Sequence, residues 1–334
     1  MVHNDISCQV TPDVSNTPQL SIIIVNWNTR ELTLDCLASV YATICNVEVE
    51  VFVVDNASSD DSVEAVQEAY PQVNLIRNQQ NLGFAKANNQ ALRLMKGRYA
   101  LLLNSDAVLT EGAVEKLLSF MDLNLQVGMA CGQLLNRDSS KQNSVANFPR
   151  LVSLICNATI LRLFFPKKYP SKRQEYTVPV QVDSCIGACL MVRKAAMDQV
   201  GLLDERYFFF MEETDWALTM QRAGWQSWLV PDARIFHLQG QSANLNKSGS
   251  ASKPALKGIN VRSRILFYRS RYQYVQKWHP EELPLWVVLI VLRLLINSVL
   301  NLIGIFITLG MVRECRNRLR LYLQLLAWHL RRCS

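Results

Sequence analysis

YALLLNSDAVL (99–109) runs three leucines straight into Asn104, Ser105 and Asp106. An apolar run of this length, closed by polar residues, reads as a buried strand with an acid just past its carboxyl end. Two readings of Asn104-Ser105-Asp106 stay open from these residues alone. One is a surface turn, a setting in which Asn and Asp bond back to their own backbone. The other is a ligand group at a sheet end. A hard divalent cation takes oxygen ligands there, one or two carboxylates from the protein and the rest from a diphosphate.

Working outward, SIIIV (21–25), VEVFVVD (49–55) and VNLIR (73–77) read as strands. Between them, residues 30–43 and a stretch capped by Ser58 or Ser59 carry apolar residues at helical spacing. FAKANNQALRLMK (84–96) and residues 110–122 read as helices on either side of YALLLN. Strands alternating with helices of this length predict an α/β domain with a mostly parallel, Rossmann-like sheet flanked by helices. Ligands in such sheets bind beyond the carboxyl ends of the strands. From residue 183 the order returns with a strand at CLMV, a helix from about 193, FFFMEETDWALTMQRAGW, and SWLVPDARIFHL. Residues 160–175, basic and aromatic with prolines, are expected to form a loop or lid, and residues 239–258 a polar loop.

The chain has 334 residues, 49% of them apolar, so one large domain plus an appendage is within reach. Its net charge of +7 is uneven. From residue 255 on there are thirteen Lys or Arg against three acids, which leaves the preceding residues at −3. Residues 283–312 contain one charge, Arg293, and the 19 residues from Leu294 to Val312 contain none, close to the length of a membrane span. The last 22 residues alternate arginine with Leu, Tyr and Trp as a basic amphipathic helix would. Positive charge flanks the apolar run on both sides, which favours a re-entrant or in-plane hairpin over a simple crossing. The expected partner of this tail is a membrane surface, not nucleic acid. The nine cysteines form no CxxC pair and read as reduced thiols. Residues 1–19 are a polar lead-in without the apolar stretch of a signal peptide. The resulting division is 1–19, 20–278 and 279–334.

No GxGxxG, Walker A or HExxH motif occurs. The residues able to carry chemistry are acids and one histidine. Asp55 ends a strand, where it serves either a capping turn or a ribose or pyrimidine N–H. Glu212, Glu213 and Asp215 open a helix behind Phe208–Met211. The helix dipole favours acids there in any case. Apolar surroundings would also raise a carboxylate toward the pKa of a general base. His237 gains meaning only if the fold brings it to Asp106.

SIIIVNWN, VVDNASSD, NLGFAKANN (81–89), LLLNSDAVL, GACLMVR (187–193), GLLDERYFFFMEETDW (201–216) and FHLQGQS (236–242) occur in one order. Together they resemble inverting glycosyltransferases of family 2, in their rhamnosyltransferase-like branch, over about residues 20–275. The resemblance implies a GT-A fold, a nucleotide-sugar donor and Mg²⁺ or Mn²⁺. Val25, Trp27 and Asp55 would hold the nucleoside. Asp106 would be the metal and diphosphate ligand, with Asn104 in place of the first acid of the family's DxD. His237 would complete the metal shell. Glu213 would be the base, with Asp215 in reserve, and Lys86 and Asn88 would help hold the donor. It further implies transfer of L-rhamnose from dTDP-rhamnose to a lipid-linked saccharide at the cytoplasmic face of the membrane, for a cell-surface polysaccharide. A UDP- or GDP-sugar transferase or a sugar-nucleotide nucleotidyltransferase are the alternatives.

Overall fold

The computed structural model describes residues 18–44, 47–151, 176–238, 261–309 and 312–333. The expected loops at 160–175 and 239–258 lie outside these, as does nearly all of the 1–19 lead-in. Strands β1 (Leu20–Asn26), β2 (Val49–Asp55), β3 (Asn74–Arg77) and β4 (Tyr99–Asn104) are separated by helices α1 (Arg30–Thr43), α2 (Ser62–Ala69) and α3 (Phe84–Leu92). There follow β5 (Ala107–Leu109), α4 (Ala113–Leu123), β6 (Val127–Leu135), β7 (Val145–Ala146), β8 (Val180–Val182), β9 (Ser184–Cys185) and β10 (Cys189–Arg193). The chain continues through α5 (Lys194–Val200), α6 (Glu212–Arg222), β11 (Gln226–His237), α7 (Val261–Trp278), α8 (Leu283–Ile307) and α9 (Arg313–Cys333).

The main sheet has the order β3-β2-β1-β4-β10-β6-β11-β5, with β8 added beside β11. β1 to β4 run parallel to one another, and β11 runs parallel to β6. β10 lies antiparallel between β4 and β6, so the sheet is mixed but mostly parallel. Both faces are covered, which is why β1 and β4 are apolar at nearly every position. Ile22, Ile24, Leu101 and Leu103 pack with Leu37 of α1 and Leu117 of α4. Ile23 and Leu102 face the other layer, with Ala87 of α3, Trp216 of α6 and Tyr272 of α7.

Three boundaries depart from the sequence reading. α2 begins at Ser62, not near Ser58, because Ser58 and Asp60 reach across to the β1–α1 turn: Ser58 Oγ accepts from Asn26 and Asn28, and Asp60 accepts from the Arg30 backbone. α3 stops at Leu92, four residues short of the expected end. Lys96 and Gly97 N–H groups turn instead to the Glu50 carboxylate, and Gly97 also to the Ser21 hydroxyl. α4 starts three residues late, after an αL Gly112.

α8 and α9 fold back on each other, with Cys315 against Gly304. Trp286, Ile290 and Leu294 of α8 and Leu321 and Leu325 of α9 join the same buried cluster as Tyr272. The other face of α8 is exposed along Leu285, Val288, Leu292, Ile296, Val299, Ile303 and Phe306. Pro280–Ile307 is long enough, and apolar enough over most of its length, to cross a membrane.

Candidate active site

β4 delivers Asn104 and the Ser105–Asp106 turn to the middle of the sheet's carboxyl edge. The chain then leaves for the far side: β5 pairs with β11, setting Ala107 opposite His237. The Leu238 N–H donates to the Asp106 carbonyl at 2.9 Å. Asp106 and His237 are thereby brought together in the interior, with His237 Nε2 3.3 Å from Asp106 Oδ1.

The His237 ring is held from behind. Its Nδ1 lies 3.0 Å from Oε1 of Gln142, a buried residue in the turn that follows β6. The pair of donors, one carboxylate oxygen and one imidazole nitrogen, fits a divalent cation. Their spacing is close to the roughly 3 Å between neighbouring ligands on a six-coordinate ion with bonds of about 2.1 Å.

The turns around β4 are tied by one asparagine. Asn26 Nδ2 donates to Asp55 Oδ1 at 2.8 Å and to Ser58 Oγ at 3.0 Å. Its Oδ1 accepts from Thr29 and Thr33, and Thr29 Oγ1 also meets Ser105 Oγ at 2.9 Å. Asp55 spends its second oxygen on the Ser58 N–H. Beside it, Asn56 bonds Asn81 and Asn78 and accepts from the Leu82 N–H.

A cleft opens over these turns. Val25, Trp27 and Asn104 line it; so do Asn56, Asn81, Ser105, Phe84, Phe208 and Phe209, and Ser263 and Leu266 of α7. Asp55 lies behind Asn56, outside the lining. Lys86 is exposed, and Asn88 is buried with Nδ2 on the Phe84 carbonyl. Neither lines the cleft.

Two aromatic segments meet at its wall. Gly83 has φ +84°, and a Cβ there would lie 2.4 Å from the Phe208 carbonyl oxygen, so only glycine fits. That carbonyl accepts the Phe84 N–H at 2.7 Å. Phe210 and Met211 then take left-handed φ of 70° and 73°. Such strain is held only where surrounding contacts over-determine it. Here the Ser270 hydroxyl bonds the Phe209 carbonyl, and the Phe209 and Phe210 rings pack at 4.4 Å.

This strained turn launches α6 with its three acids. Glu213 Cβ and the Phe84 ring both come within 4.0 Å of where a Cβ on Gly187 would sit. The carbonyl of the next residue, Ala188, accepts the Asn104 N–H at 3.0 Å. Burial pushes the Glu213 carboxyl up to about 7, against the lowering effect of the first helical N–H groups. Its Oε2 is buried and has no hydrogen-bond partner among the described residues. Glu212 is raised well above its ordinary value, first by burial and then by the charge of Glu213. Asp215 is differently placed: it accepts from Lys277 Nζ at 2.7 Å, Trp278 Nε1 at 2.6 Å and Tyr207 at 3.1 Å. Its contacts fasten α6 to α7.

The cleft thus lies at the carboxyl edge of a mostly parallel sheet, and Asp106, His237 and Glu213 are not among its lining residues. Residues 21–201 match the family model Glycosyl transferase family 2, and the chain belongs to that family. It is 31% identical over 209 residues to the N-acetylglucosaminyl-diphospho-decaprenol L-rhamnosyltransferase of Mycobacterium tuberculosis, covering 58% of this chain and 68% of that protein. An N-acetylglucosaminyltransferase of Mesorhizobium japonicum is 29% identical over 233 residues, covering 65% of this chain and 50% of its own length. Among solved structures, GalNAc-T7 with UDP, GalNAc and Mn²⁺ superposes with a TM-score of 0.51 at 15% identity, over 68% of this chain and 45% of that one. That likeness shows the GT-A fold.

Proposed function

We propose that the protein is an inverting glycosyltransferase that moves a sugar, with dTDP-L-rhamnose as the first candidate donor, onto a lipid-linked saccharide. The observation that carries this reading is Glu213, a carboxylate raised to about 7 beside the donor cleft, with one buried oxygen unpartnered among the described residues. A base of that pKa takes a proton from a hydroxyl at neutral pH. The acceptor oxygen then attacks the anomeric carbon from the face opposite the departing nucleoside diphosphate, and one displacement inverts the configuration. Val25, Trp27 and Asn56 supply the nucleoside wall, and Asp55, through Asn26 and Ser58, fixes the loop that carries it. Asp215, with every near neighbour a donor, acts in our reading as a fastener and leaves the proton transfer to Glu213.

Asp106 and His237 would hold the divalent cation. Bound there, it offsets the charge that grows on the leaving diphosphate. An imidazole in the shell favours Mn²⁺ over the harder Mg²⁺, and the Mn²⁺ of the GalNAc-T7 structure agrees with this.

The rhamnosyltransferase relative, named for N-acetylglucosaminyl-diphospho-decaprenol, supports a lipid-linked acceptor. So does a groove between α7 and α9 walled by Val261, Ile265, Leu266, Ala327 and Trp328, with Arg262 and Arg331 beside them. Leu266 is shared between this groove and the donor cleft. The exposed apolar row of α8 supports seating of residues 279–334 on a membrane, with 20–278 as the catalytic unit. The cytoplasmic face, where nucleotide sugars are made, is the side we assign.

The test is a donor screen with purified protein, Mn²⁺ or Mg²⁺ and a polyprenyl-diphosphate-linked N-acetylglucosamine, reading nucleoside diphosphate release. We expect dTDP-rhamnose to lead over UDP- and GDP-sugars. Turnover unaffected by EDTA would remove the metal from the reading, and undiminished turnover by Glu213→Gln would remove the base.

A further inference from the structure

Gln142 belongs to none of the sequence motifs, yet it is buried and every polar atom of its amide is used. Its Nε2 faces three acceptors: the Asn136 side-chain oxygen at 2.8 Å, the Leu135 carbonyl at 3.4 Å and the His237 carbonyl. An NH₂ group surrounded by carbonyl oxygens cannot be exchanged for its own oxygen without three repulsive contacts, so the amide has one orientation. Its Oε1 therefore points at the His237 ring, 3.0 Å from Nδ1. An acceptor at that position requires the ring proton on Nδ1. In the neutral imidazole, the form that binds a metal, Nε2 is then the electron-pair donor, and Nε2 is the atom 3.3 Å from Asp106 Oδ1. The backbone of Gln142 is anchored as firmly, with its N–H on the Leu134 carbonyl and its own carbonyl accepting from Gln133 Nε2.

We propose that Gln142 is the positioning residue of the metal site: it sets the tautomer and the aim of His237, so that Nε2 and the Asp106 carboxylate present one preformed pair of donors. The proposal rests on the metal reading of Asp106 and His237 given above. Outer partners of ligating histidines generally act in this way, and their loss weakens metal binding. In a site with a single carboxylate from the strand end, the second protein ligand bears more of the affinity, so its aim matters more.

Two substitutions separate this role from a packing role. Gln142→Glu keeps an oxygen for Nδ1–H but turns an acceptor toward three carbonyl oxygens. Gln142→Leu removes the acceptor as well. Mn²⁺ would be titrated into the full-length chain, reading the free-ion EPR signal, alone and with dTDP, UDP or GDP. We expect Gln142→Leu to bind Mn²⁺ roughly 10–100-fold more weakly. Gln142→Glu should retain wild-type affinity while melting at a lower temperature. Equal loss in both variants, or wild-type affinity in Gln142→Leu, overturns the proposal. Failure of the wild-type chain to bind Mn²⁺ overturns the metal reading on which it rests. Should Gln142→Glu not fold, ¹⁵N-histidine NMR of the wild-type chain with Mg²⁺ and nucleoside diphosphate, assigned with His237→Gln, decides the same question. A proton on Nδ1 is expected, and a proton on Nε2 refutes the proposal.

Discussion

Lys277 donates to Asp215 at 2.7 Å, and this contact joins the helix that carries Glu213 to the helix that lines the cleft with Ser263 and Leu266. Asp215 is buried and Lys277 mostly so. Removing one partner of such a pair leaves a charge without its counter-ion, at a cost on the order of 3–5 kcal/mol. Lys277→Met should lower the urea midpoint accordingly, although Tyr207 and Trp278 still donate to Asp215. Activity should fall with it, because α7 supplies Ser263 and Leu266 to the cleft wall.

The same lysine serves Asp204. Hydrogen bonds from the Arg206 guanidinium first, and from Lys277 after it, hold the Asp204 carboxyl well below the usual carboxylate range. A group depressed in the folded state adds stability above its unfolded pKa of about 3.9 and loses it as pH falls toward the folded value. Thermal melts should therefore show an acid-side loss below pH about 4 that is smaller in Asp204→Asn.

Glu213 has the opposite sign. Its pKa rises from 4.5 to about 7 on folding, so the folded state is relatively most stable below 4.5 and loses stability as pH climbs to about 7. Glu213→Gln should flatten that part of the stability profile. In turnover, kcat/KM should climb through an apparent pKa near 7. The Gln variant should lose about 10²–10⁴-fold in kcat while still binding the donor, the span ascribed to general-base catalysis. A profile flat from pH 5.5 to 8 in the wild type would assign the base elsewhere.

Gly83→Ala tests the joint between α3 and the strained turn before α6. Gly83 has φ 84° and ψ 171°, a region almost closed to residues with a Cβ, and the Phe208 carbonyl occupies the space. A cost of about 1–3 kcal/mol is expected from the backbone alone. Donor KM should rise too, since Phe84 and Phe208 both line the cleft. An unchanged melting temperature together with unchanged KM would show that the turn tolerates the shift.

Much of the sheet was legible because burial on both faces writes itself as continuous apolar runs. VEVFVVD and YALLLN match their strands residue for residue, and each delivers its polar residue to the sheet edge. β6 was not legible. VGMACGQLL is buried throughout, but its glycines and Gln133 interrupt the apolar signal. Gly132 is small because the Ala233 carbonyl of β11 sits where a Cβ would be. Nor does local sequence disclose that β5, two residues after β4, pairs at the opposite end of the sheet order. That crossing brings His237 to Asp106, and Gln142 meets His237 from behind. The helix caps failed for a related reason. Ser58 and Asp60 have the chemistry of caps, yet their partners are the Asn26–Arg30 turn, a contact no short-range pattern carries.

The exposed row on α8 yields a further prediction. Each leucine or isoleucine sunk in a bilayer contributes up to about 1.5–3 kcal/mol. Replacing Leu292, Ile296, Val299 and Ile303 together by serine should release the chain from anionic vesicles in a flotation assay, with its fold intact, because Trp286, Ile290 and Leu294 keep the opposite face packed. Continued flotation would put the attachment elsewhere.

β11 touches β6, β8 and β5, and its last residue is His237. It is therefore the closing piece of the sheet, and its pairing with β5 joins parts of the chain that lie far apart in sequence. Contacts of that kind form late, after the entropy of closing a long loop has been met. A nascent or partly unfolded chain can have β1 to β4 in register and still lack the two donors side by side. If Asp106 and His237 hold an ion as proposed, its uptake would report completion of the fold, and its removal would loosen the chain first where β11 ends.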